Sequence, residues 1–428
     1  MSKFNLETID NLPNLASPQL GSEIVYCTDE WFAECDNMLK DEGAHFDPDT
    51  FTFYGKEMDG WECRRRRSEG HDWSIVKLGI PGSILVIEVD TLHFTGNFSP
   101  RVSIQGTYLA PGSHSTELEK VENLIRLRKK GVEDRGEKSK DGRMGLHASD
   151  EETAIALTLQ SDKWQTLVPL TKLGAGYAET SRNFFKIESR GKERFNYLRI
   201  NMGPDGGIAR VRVYGLISVN LSAIPRDQEI DLAAVQVGGI AIGCSNMHYG
   251  HPRNLVNPGR GKVMGDGWET ARQPARPASY ERGHDGLMKL PGSDFAVLKL
   301  GLRGYIKRME VDTHLYKGNY PESCLIEGCF FEDDESPEAQ KLLLAPSDGS
   351  GNTGNSIRGK RPIWRPLLTR TALTADAIHR FNVISAANSE ILTHVRITIY
   401  PDGGVQRLRL FGFAADAVGT ANPSRSRL

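Results

Sequence analysis

Acidic residues, a histidine and arginines recur in the same order in the two halves of the sequence. Histidine exchanges a proton near neutral pH, a neighbouring carboxylate can orient or stabilise it, and a guanidinium group binds a carboxylate in bidentate fashion. The side chains that could transfer protons are Glu62, His71, Asp72, Glu269, His284 and Asp285. The arginines that could hold an anionic substrate are Arg64, Arg66 and Arg272. Together these residue types suit acid–base chemistry on a small carboxylate.

An internal duplication explains the recurring order. Asp-Gly-Trp-Glu occurs at 59–62 and 266–269, and Glu-Val-Asp-Thr occurs at 88–91 and 310–313. The distance from Glu88 to Glu310 is 222 positions, and the distance from Asn97 to Asn319 is again 222. A repeat of this length indicates a duplicated domain, because solenoid units run to tens of residues. Of the eleven histidines, only the two in Gly-His-Asp are interpreted as a matched pair.

Each motif also has a purely structural interpretation. Gly-His-Asp can be a turn whose aspartate accepts backbone N–H bonds, and the glutamate of Asp-Gly-Trp-Glu can pair with an arginine. Asp90 and Asp312 end apolar runs, where they are either turn acceptors or groups that face a cleft. The arginine run 64–67 is either a solvated surface or a carboxylate site. His93 and His314 differ by one position relative to Asp-Thr and would face opposite sides of a strand, so we do not pair them as ligands.

Composition limits the classes of function. Lysine and arginine (53) nearly balance aspartate and glutamate (55), and the net charge of −2 gives no electrostatic case for nucleic acid or an anionic membrane. No apolar run approaches the ~20 residues that a membrane helix needs, and the N-terminus lacks the apolar core of a signal peptide. Six cysteines without a Cys-x-x-Cys pair indicate free thiols in a reducing compartment. The sequence predicts a soluble, intracellular, two-domain protein.

The spacing of apolar residues predicts mostly β structure. β-branched runs at 84–89, 102–104 and 306–311 have strand length, and alternating residues around Pro-Asp-Gly-Gly at 204–207 and 401–404 predict hairpins with one solvent-exposed face. A short helix is expected at 31–39, and a surface helix at 116–131 with a mobile charged loop to 140. Residues 332–355 are expected to form a loop. We predict an all-β fold of two tandem antiparallel β-sandwiches with jelly-roll topology.

The predicted domain boundaries follow the duplication. They are an N-terminal arm at 1–20, a first repeat at 21–217, a linker at 218–235, a second repeat at 236–415 and a C-terminal tail at 416–428. The chain ends in Ser426-Arg427-Leu428, which is similar to the peroxisomal address Ser-Lys-Leu. We therefore expect a peroxisomal location in a eukaryotic host and a cytoplasmic location otherwise.

The combination of duplicated motifs resembles the allantoicase family. The motifs are Asp-Gly-Trp-Glu, Gly-His-Asp, Glu-Val-Asp-Thr followed by Gly-Asn, and the closing Pro-Asp-Gly-Gly, and they cover about residues 20 to 415. The resemblance implies two jelly-roll domains similar to galactose-binding modules. It also implies the hydrolysis of allantoate to ureidoglycolate and urea in purine degradation. The long charged insert at about 116–150 departs from the family pattern.

This reaction requires several groups. Loss of urea needs a general acid for the nitrogen leaving group, a base for water, a cation for the carboxylate and partners for the ureido group. Histidine with aspartate or glutamate suits the first two roles, arginine suits the third, and Asn97 or Asn319 could serve the fourth. No cofactor is certain, and a divalent metal is possible only through residues that the fold gathers. We expect a small-molecule substrate and a homo-oligomer, without nucleic-acid or membrane partners.

Two other functions remain open from the sequence. One is a non-catalytic tandem carbohydrate-binding protein with two equivalent sites, and the other is a metal-assisted amidohydrolase. The second repeat spreads its arginines over Arg272, Arg276 and Arg282, and this difference from the run 64–67 favours diverged roles for the two repeats. The approach to His284 through Pro274 and Pro277 predicts a stiff loop, which favours this histidine as the catalytic one.

Overall fold

The computed structural model describes most of the chain. The described residues are 9, 11–110, 116–188, 193–221, 224–225, 227–275, 279–332, 336–345, 361–384 and 390–415, without the side chains of 137 and 139. The chain forms two compact units, of which Pro13–Ser218 is one, while Val219–Leu428 and the residues before Pro13 make the other. Within the described residues, no helix is long and apolar enough to span a membrane.

The first unit consists mainly of strands. They are β1 (Glu23–Cys27), β2 (Phe51–Thr52), β3 (Gly55–Lys56), β4 (Trp61–Glu62), β5 (Trp73–Asp90), β6 (Arg101–Thr107), β7 (Gln165–Lys172), β8 (Arg182–Lys186), β9 (Phe195–Met202), β10 (Gly207–Ile208) and β11 (Arg210–Ile217). Its α-helices are α1 (Thr116–Glu133) and α2 (Asp150–Thr158). Its 3-10 helices are Pro18–Leu20, Cys35–Leu39, Gly136–Asp141 and Ser161–Lys163.

The long strand β5 organises this unit. Residues 73–77 of β5 pair antiparallel with β1 and β9, and residues 82–90 pair antiparallel with β11. β8 also pairs with the second half, and β6 and β7 extend the sheet beyond β9. Between the halves, a Cβ at Gly79 would lie 2.0 Å from the Leu20 carbonyl oxygen, so only glycine fits there. One strand therefore contributes to both layers around a core that includes Ile87, Val89 and Ile200.

The second unit repeats this arrangement. Its strands are β12 (Ile230–Asp231), β13 (Ile240–Cys244), β14 (Trp268–Glu269), β15 (Asp294–Asp312), β16 (Ser323–Cys329), β17 (Arg365–Ala372), β18 (Ile378–Asn382), β19 (Leu392–Tyr400), β20 (Gly404–Val405) and β21 (Arg407–Ala414). The α-helix is α3 (Pro337–Leu344), and the 3-10 helices are Val235–Val237, Pro252–Val256 and Met264–Asp266. β15 pairs with β13 and β19 through its first half and with β18 and β21 through its second half. The predicted pair of all-β sandwiches is confirmed.

The predicted hairpins around Pro-Asp-Gly-Gly are wrong. β9 and β11 both pair with β5, on different halves of it, so the turn at 204–207 connects the two layers; β19 and β21 flank β15 in the same way. The predicted solvent-exposed face is wrong too, because Arg210 and Arg407 are buried. Their guanidinium groups donate to loop carbonyl oxygens, from Arg210 to Asp59 at 2.7 Å and from Arg407 to Asp266 at 2.6 Å. These bonds satisfy N–H groups of the buried guanidinium groups, and Arg210 also pairs with the Asp59 carboxylate at 2.5 Å.

The helix expected at 31–39 is also wrong in its first part. Only Cys35–Leu39 is helical, as a 3-10 helix. The backbone N–H groups of Phe32 and Ala33 donate to the Glu62 carbonyl oxygen instead, both at 3.2 Å. Because these two N–H groups donate to β4, they are not available for the hydrogen bonds of a helix that begins earlier.

The inserts contain more regular structure than expected. The helix predicted at 116–131 is confirmed as α1, and it packs Val121 and Leu124 against the first unit. The charged loop that follows is held by Arg135, whose Nη1 donates to the carbonyl oxygens of Gly142 and Met144 at 2.6 and 2.7 Å. In the second unit the predicted loop contains α3, which Ser336 caps, and 346–360 lie outside the described residues.

The segments around the units differ from expectation in packing. Leu15 is fully buried, and its N–H donates to the Val213 carbonyl oxygen at 2.7 Å, so this part of the expected loose arm is tightly packed. Within the expected linker, β12 pairs with β21 and belongs to the second sheet. The expected tail, 416–428, lies outside the described residues.

Candidate functional site

Short strand pairs place the two Asp-Gly-Trp-Glu glutamates beside the Pro-Asp-Gly-Gly turns. In the first repeat the buried Trp61 donates its indole N–H to the Asp29 carbonyl oxygen at 2.8 Å, which anchors β4. β4 pairs with β10, so Glu62 lies opposite Gly207. In the second repeat β14 pairs with β20, and Glu269 lies opposite Gly404 in the same way.

Each glutamate accepts a short hydrogen bond from an asparagine. Asn97 Nδ2 donates to Glu62 Oε1 at 2.6 Å, and Asn319 Nδ2 donates to Glu269 Oε1 at 2.5 Å. Burial raises the pKa of Glu62, while the bond from Asn97 and the charge of Arg65 oppose the rise. The environment therefore favours a protonated Glu62 more than water does. A neutral carboxyl group can donate a proton.

Asp205, from the Pro-Asp-Gly-Gly turn, binds two residues of the arginine run. Its Oδ1 accepts from Arg65 Nη1 at 2.8 Å, and its Oδ2 accepts from the backbone N–H of Arg66 at 2.9 Å. The carboxylate is buried, whereas the Arg65 side chain that pairs with it is exposed. The turn thus fixes the direction in which both arginines leave β4.

The Gly-His-Asp triplet of the first repeat meets Arg66 from the other side. The buried Asp72 accepts from Arg66 Nη1 at 3.0 Å and from Thr28 Oγ1 at 2.8 Å, and burial raises the pKa of this carboxyl. The buried Nε of Arg66 has no hydrogen-bond partner within the described residues. His71 is exposed, and its Nε2 lies 3.0 Å from Asn201 Oδ1.

Arg64 is engaged away from this group. Its Nε donates to Asp29 Oδ2 at 2.7 Å, and its guanidinium lies 4.5 Å from the centre of the Trp31 ring. This stacked ion pair gives Arg64 a structural contact within its own repeat. Arg64 and Arg66 thus diverge although they are two residues apart.

The second repeat shows that His71 and His284 are not matched, which corrects the sequence comparison. Trp73 pairs with Asn201 on β9, and Phe295 pairs with Thr398 on β19, at the same distance from the closing turn. Asp294 accepts from Ser245 Oγ at 2.7 Å, as Asp72 does from Thr28. Asp294 is therefore the counterpart of Asp72. The residue that precedes Asp294, at the place of His71, is Ser293.

The counterparts of the arginines have also changed. Gln273 donates its backbone N–H to Asp402 Oδ2 at 2.8 Å and its Nε2 to Asp294 Oδ2 at 3.2 Å. These are the contacts that Arg66 makes in the first repeat, so glutamine replaces an arginine there. Arg272 takes the place of Arg65 and is exposed, and Arg276 lies outside the described residues.

His284 lies in a loop that extends the second repeat. It is exposed, and the neighbouring Asp285 accepts the N–H of Leu287 at 3.0 Å, as a turn residue does. An open pocket of about 330 Å³ lies beside it and is lined partly by Lys289 and Arg370. Arg370 already donates to Glu322 Oε2 at 3.2 Å. The sequence comparison paired His284 with His71 because Gly-His-Asp occurs in both repeats, although the second triplet lies at a different place in the fold.

Asp90 and Asp312 form turns at the ends of β5 and β15. Asp90 Oδ1 accepts the N–H of Leu92, and Asp312 Oδ1 accepts the N–H of His314, both at 2.9 Å. Asp312 also accepts two bonds from Arg260, at 2.9 and 3.0 Å. The structure thus gives both aspartates turn contacts, which is one of the two interpretations left open by the sequence.

Two residues near the arginines were missed from the sequence. Asp205 had a signal, because the Pro-Asp-Gly-Gly motif occurs in both repeats, but the motif was interpreted only as a turn. Asn201 had no signal, since it is one polar residue in an alternating strand. Contacts with His71 and the arginines become visible only in the fold.

Within the described residues, one group of side chains has ligand atoms close enough together to bind a metal ion: Cys27, Glu30 and Cys35. Glu30 already accepts bonds from Arg128 and Arg143, at 2.6 Å each. Burial raises the pKa of both thiols, which favours the protonated form that does not bind metals. This donor set does not suit a cation.

Comparisons with known proteins agree with the duplicated fold. A family model described as the allantoicase repeat matches residues 13–218 and 230–415. A protein from Photobacterium profundum named probable allantoicase is 36% identical over 403 residues, which are 94% of this chain and 97% of that protein. A protein of the same name from Pseudomonas fluorescens is 35% identical over 410 residues, 96% of this chain and 98% of its own.

A known crystal structure has a similar fold over almost the whole length. Allantoicase from Saccharomyces cerevisiae superposes with a TM-score of 0.64 at 27% identity, and the match covers 96% of this chain and 99% of that one. A second structure of an allantoicase gives a TM-score of 0.61 at 28% identity.

Proposed function

The chain belongs to the allantoicase family, and we infer that it is a hydrolase that converts allantoate to ureidoglycolate and urea in purine degradation. The family match covers both repeats, and the relatives align over nearly their whole length. The substrate is a small carboxylate with two ureido groups on one carbon. We place the reacting groups in the first repeat, around Glu62, Arg66 and His71.

Glu62 is the general acid in this proposal. The observation that carries the assignment is the burial of Glu62, which raises the pKa of its carboxyl and favours the protonated form although the bond from Asn97 opposes it. When the C–N bond to the leaving ureido nitrogen breaks, Glu62 gives its proton to that nitrogen and urea departs. Asn97 holds the carboxyl, and we assign it the polar contact with a ureido group.

Arg66 holds the substrate carboxylate. Its Nη1 donates to Asp72 and its Nη2 to the Glu69 carbonyl oxygen, but the side chain is still 27% exposed, so its outward N–H groups can donate to an anion. Arg64 is committed to Asp29 and Trp31, so we assign the carboxylate to Arg66 alone. His71 accepts a proton from the water whose oxygen bonds to the carbon that loses urea.

The second repeat supports the fold in this proposal. Glu269 and Asn319 keep the short hydrogen bond, but glutamine and serine replace the arginine and histidine of the first repeat. A homo-oligomer also stays part of the proposal, and a solution mass above that of one chain would support it.

Urea release tests the function. Purified protein is incubated with allantoate, with and without added divalent metals, and urea is measured. Urea formation at saturating allantoate supports the assignment, and its absence under every metal condition would overturn the function. Urea formation that survives removal of the Glu62 carboxyl overturns the site alone.

The two histidines should respond differently to substitution. We expect His71→Ala to lower kcat for urea release by about 10²-fold or more, the range for losing an acid–base group. We expect His284→Ala, in an exposed loop, to change kcat by less than about threefold and to leave Tm unchanged. Steady-state kinetics on both folded variants decide the matter. A larger loss from His284→Ala would move the site to the second repeat, as the sequence favoured.

The C-terminal tripeptide should act as a targeting signal in a eukaryotic host. Peroxisomal import reads an exposed C-terminal address, and arginine conserves the charge of the lysine in Ser-Lys-Leu. We expect a fluorescent fusion that retains Ser426-Arg427-Leu428 to enter peroxisomes and the same fusion without these residues to stay in the cytosol. Identical distributions of the two fusions would reject the signal.

A further inference from the structure

Asn201, on β9, connects His71 to a buried arginine. Its Nδ2 donates to the Ser103 carbonyl oxygen at 3.1 Å and to Gln105 Oε1 at 2.7 Å. A backbone carbonyl oxygen can only accept, so the amide nitrogen must face β6. The amide oxygen therefore faces the other way, towards Arg199 and His71.

Arg199 fixes the role of that oxygen. Its Nε donates to Asn201 Oδ1 at 2.7 Å, and its guanidinium stacks 3.7 Å from the centre of the Trp73 ring. Nη1 also donates to Ser161 Oγ at 2.9 Å. Both Arg199 and Asn201 are buried, so the orientation is held by packing as well as by hydrogen bonds.

The state of His71 follows from these contacts. Its Nε2 lies 3.0 Å from Asn201 Oδ1, and this oxygen can only accept. Nε2 must therefore carry the hydrogen. In a neutral imidazole the other nitrogen, Nδ1, is then an acceptor.

We propose that Asn201 is a positioning residue that holds His71 in the Nε2–H tautomer, so that Nδ1 is the base for water. The proposal rests on the function proposed above. Water gives a proton to Nδ1 as its oxygen bonds to the substrate carbon, and Glu62 protonates the departing nitrogen. The imidazolium and the glutamate then exchange this proton through solvent, which restores both groups.

The second repeat lacks this arrangement. Thr398 stands at the place of Asn201, and Ser293 precedes Asp294 where His71 precedes Asp72. Arg396, the counterpart of Arg199, instead donates its Nη2 to the carbonyl oxygens of Leu343 and Ala345 at 2.6 and 2.8 Å. The second repeat thus lacks both the asparagine and the histidine, as expected if the two residues act as a pair and were lost together.

The titratable and charged groups near the pair come from four elements. β9 supplies Arg199, and Tyr26 of β1 and Asp162 of the 3-10 helix Ser161–Lys163 both act on Arg199. The loop before β5 supplies Asp72, which is paired with Arg66. The β6 side chains that contact Asn201 are the neutral Ser103 and Gln105. In Asn201→Asp, the carboxylate still offers an acceptor oxygen to His71 Nε2, and its negative charge favours the protonated imidazolium of His71. We expect the acidic limb of the kcat/KM profile to move to higher pH by about one unit.

A direct measurement is independent of turnover. In protein with ¹⁵N-labelled histidine, the His71 resonances are assigned by their loss in His71→Ala. At a pH where the imidazole is neutral, we expect Nε2 to carry the hydrogen and Nδ1 to have an unprotonated shift. A neutral Nδ1–H tautomer in the wild type would overturn the proposal, even if the protein releases urea.

The matched control changes the equivalent position of the second repeat. Thr398→Asp introduces the same charge where no histidine stands, and we expect its kcat/KM profile to keep the wild-type acidic limb. An unshifted profile in folded Asn201→Asp, or an equal shift in Thr398→Asp, would contradict the positioning role. Failure of the wild type to release urea would instead reject the function, and the tautomer measurement would still stand on its own.

Discussion

Glu62→Gln should lower kcat for urea release by about 10²–10⁴-fold, the usual contribution of an acid–base group. Glutamine has the shape of glutamate and keeps an oxygen that can accept the bond from Asn97. It has no acidic proton for the leaving nitrogen. Because burial raises the pKa of Glu62, the ionised form is disfavoured in the folded protein. The neutral amide should therefore leave Tm unchanged or raise it slightly, which separates the catalytic loss from unfolding.

Glu269→Gln is the matched control for this variant. It removes the equivalent carboxyl from the second repeat, where Asn319 makes the same short bond. We expect turnover within about threefold of the wild type, the range of a substitution away from the reacting groups. Steady-state kinetics at saturating allantoate, with thermal melts of both variants, give the comparison. Equal losses in the two variants would show that both repeats react, and a loss confined to Glu269→Gln would place the site in the second repeat.

The fold could be predicted from the sequence because its evidence is local and repeated. Stretches of strand length, such as 84–89 and 306–311, begin and end with β-branched residues at matched positions of the two halves, which is enough to predict a duplicated sandwich. The hairpin prediction was wrong because an alternating pattern indicates a strand but does not show which strand it pairs with. β5 is long enough to pair with β9 through one half and with β11 through the other, so the turn between them changes layers.

The candidate site was predictable only in part for a related reason. The glutamate and asparagine of each repeat were candidates because both belong to repeated motifs, and the fold brings them together although they are 35 positions apart in the first repeat and 50 in the second. The histidines were paired by their triplet, but the loop that carries His284 displaces it from the position of His71. Only strand register shows that Ser293 and Asp294 occupy that place.

The differences between the repeats concern the same few positions. Gln273 stands for Arg66, Ser293 for His71 and Thr398 for Asn201, while the aspartates that orient them are kept as Asp294 and Asp402. A duplicated scaffold needs the aspartates for its turns in either copy. The cationic and proton-accepting groups are needed only where the reaction occurs. This pattern supports one working site for each chain.

Stability should depend on a buried ion cluster that fixes the charged insert. Glu30 is fully buried and accepts from both Nη atoms of Arg128 at 2.6 Å and from Arg143 Nε at 2.6 Å. Arg128 lies on α1, so the cluster joins the insert to the loop after β1. Arg128 also pairs with Asp36. Removing one partner from a buried ion pair leaves charge uncompensated, which costs about 3–5 kcal/mol.

Arg128→Met should therefore lower the free energy of unfolding by about 3–5 kcal/mol, measured by urea denaturation at pH 7. Arg126→Met is the control, because Arg126 is exposed on the same helix and should change stability by less than about 0.5 kcal/mol. Folded Arg128→Met should retain kcat, since the cluster does not include the proposed reacting groups. Similar stability of the two variants would show that α1 is held by its apolar contacts alone.

The same cluster gives a pH dependence with a definite sign. Burial by itself would raise the pKa of Glu30, but the charges of Arg128 and Arg143 outweigh it and hold the pKa below the ordinary value of 4.5. A depressed pKa contributes stability above the unfolded value, and that contribution is lost as pH falls below about 4.5 and through the folded value. Denaturation curves should therefore show that acidification lowers the free energy of unfolding less for Glu30→Gln than for the wild type. Equal acid sensitivity would mean that other carboxyl groups control unfolding at low pH.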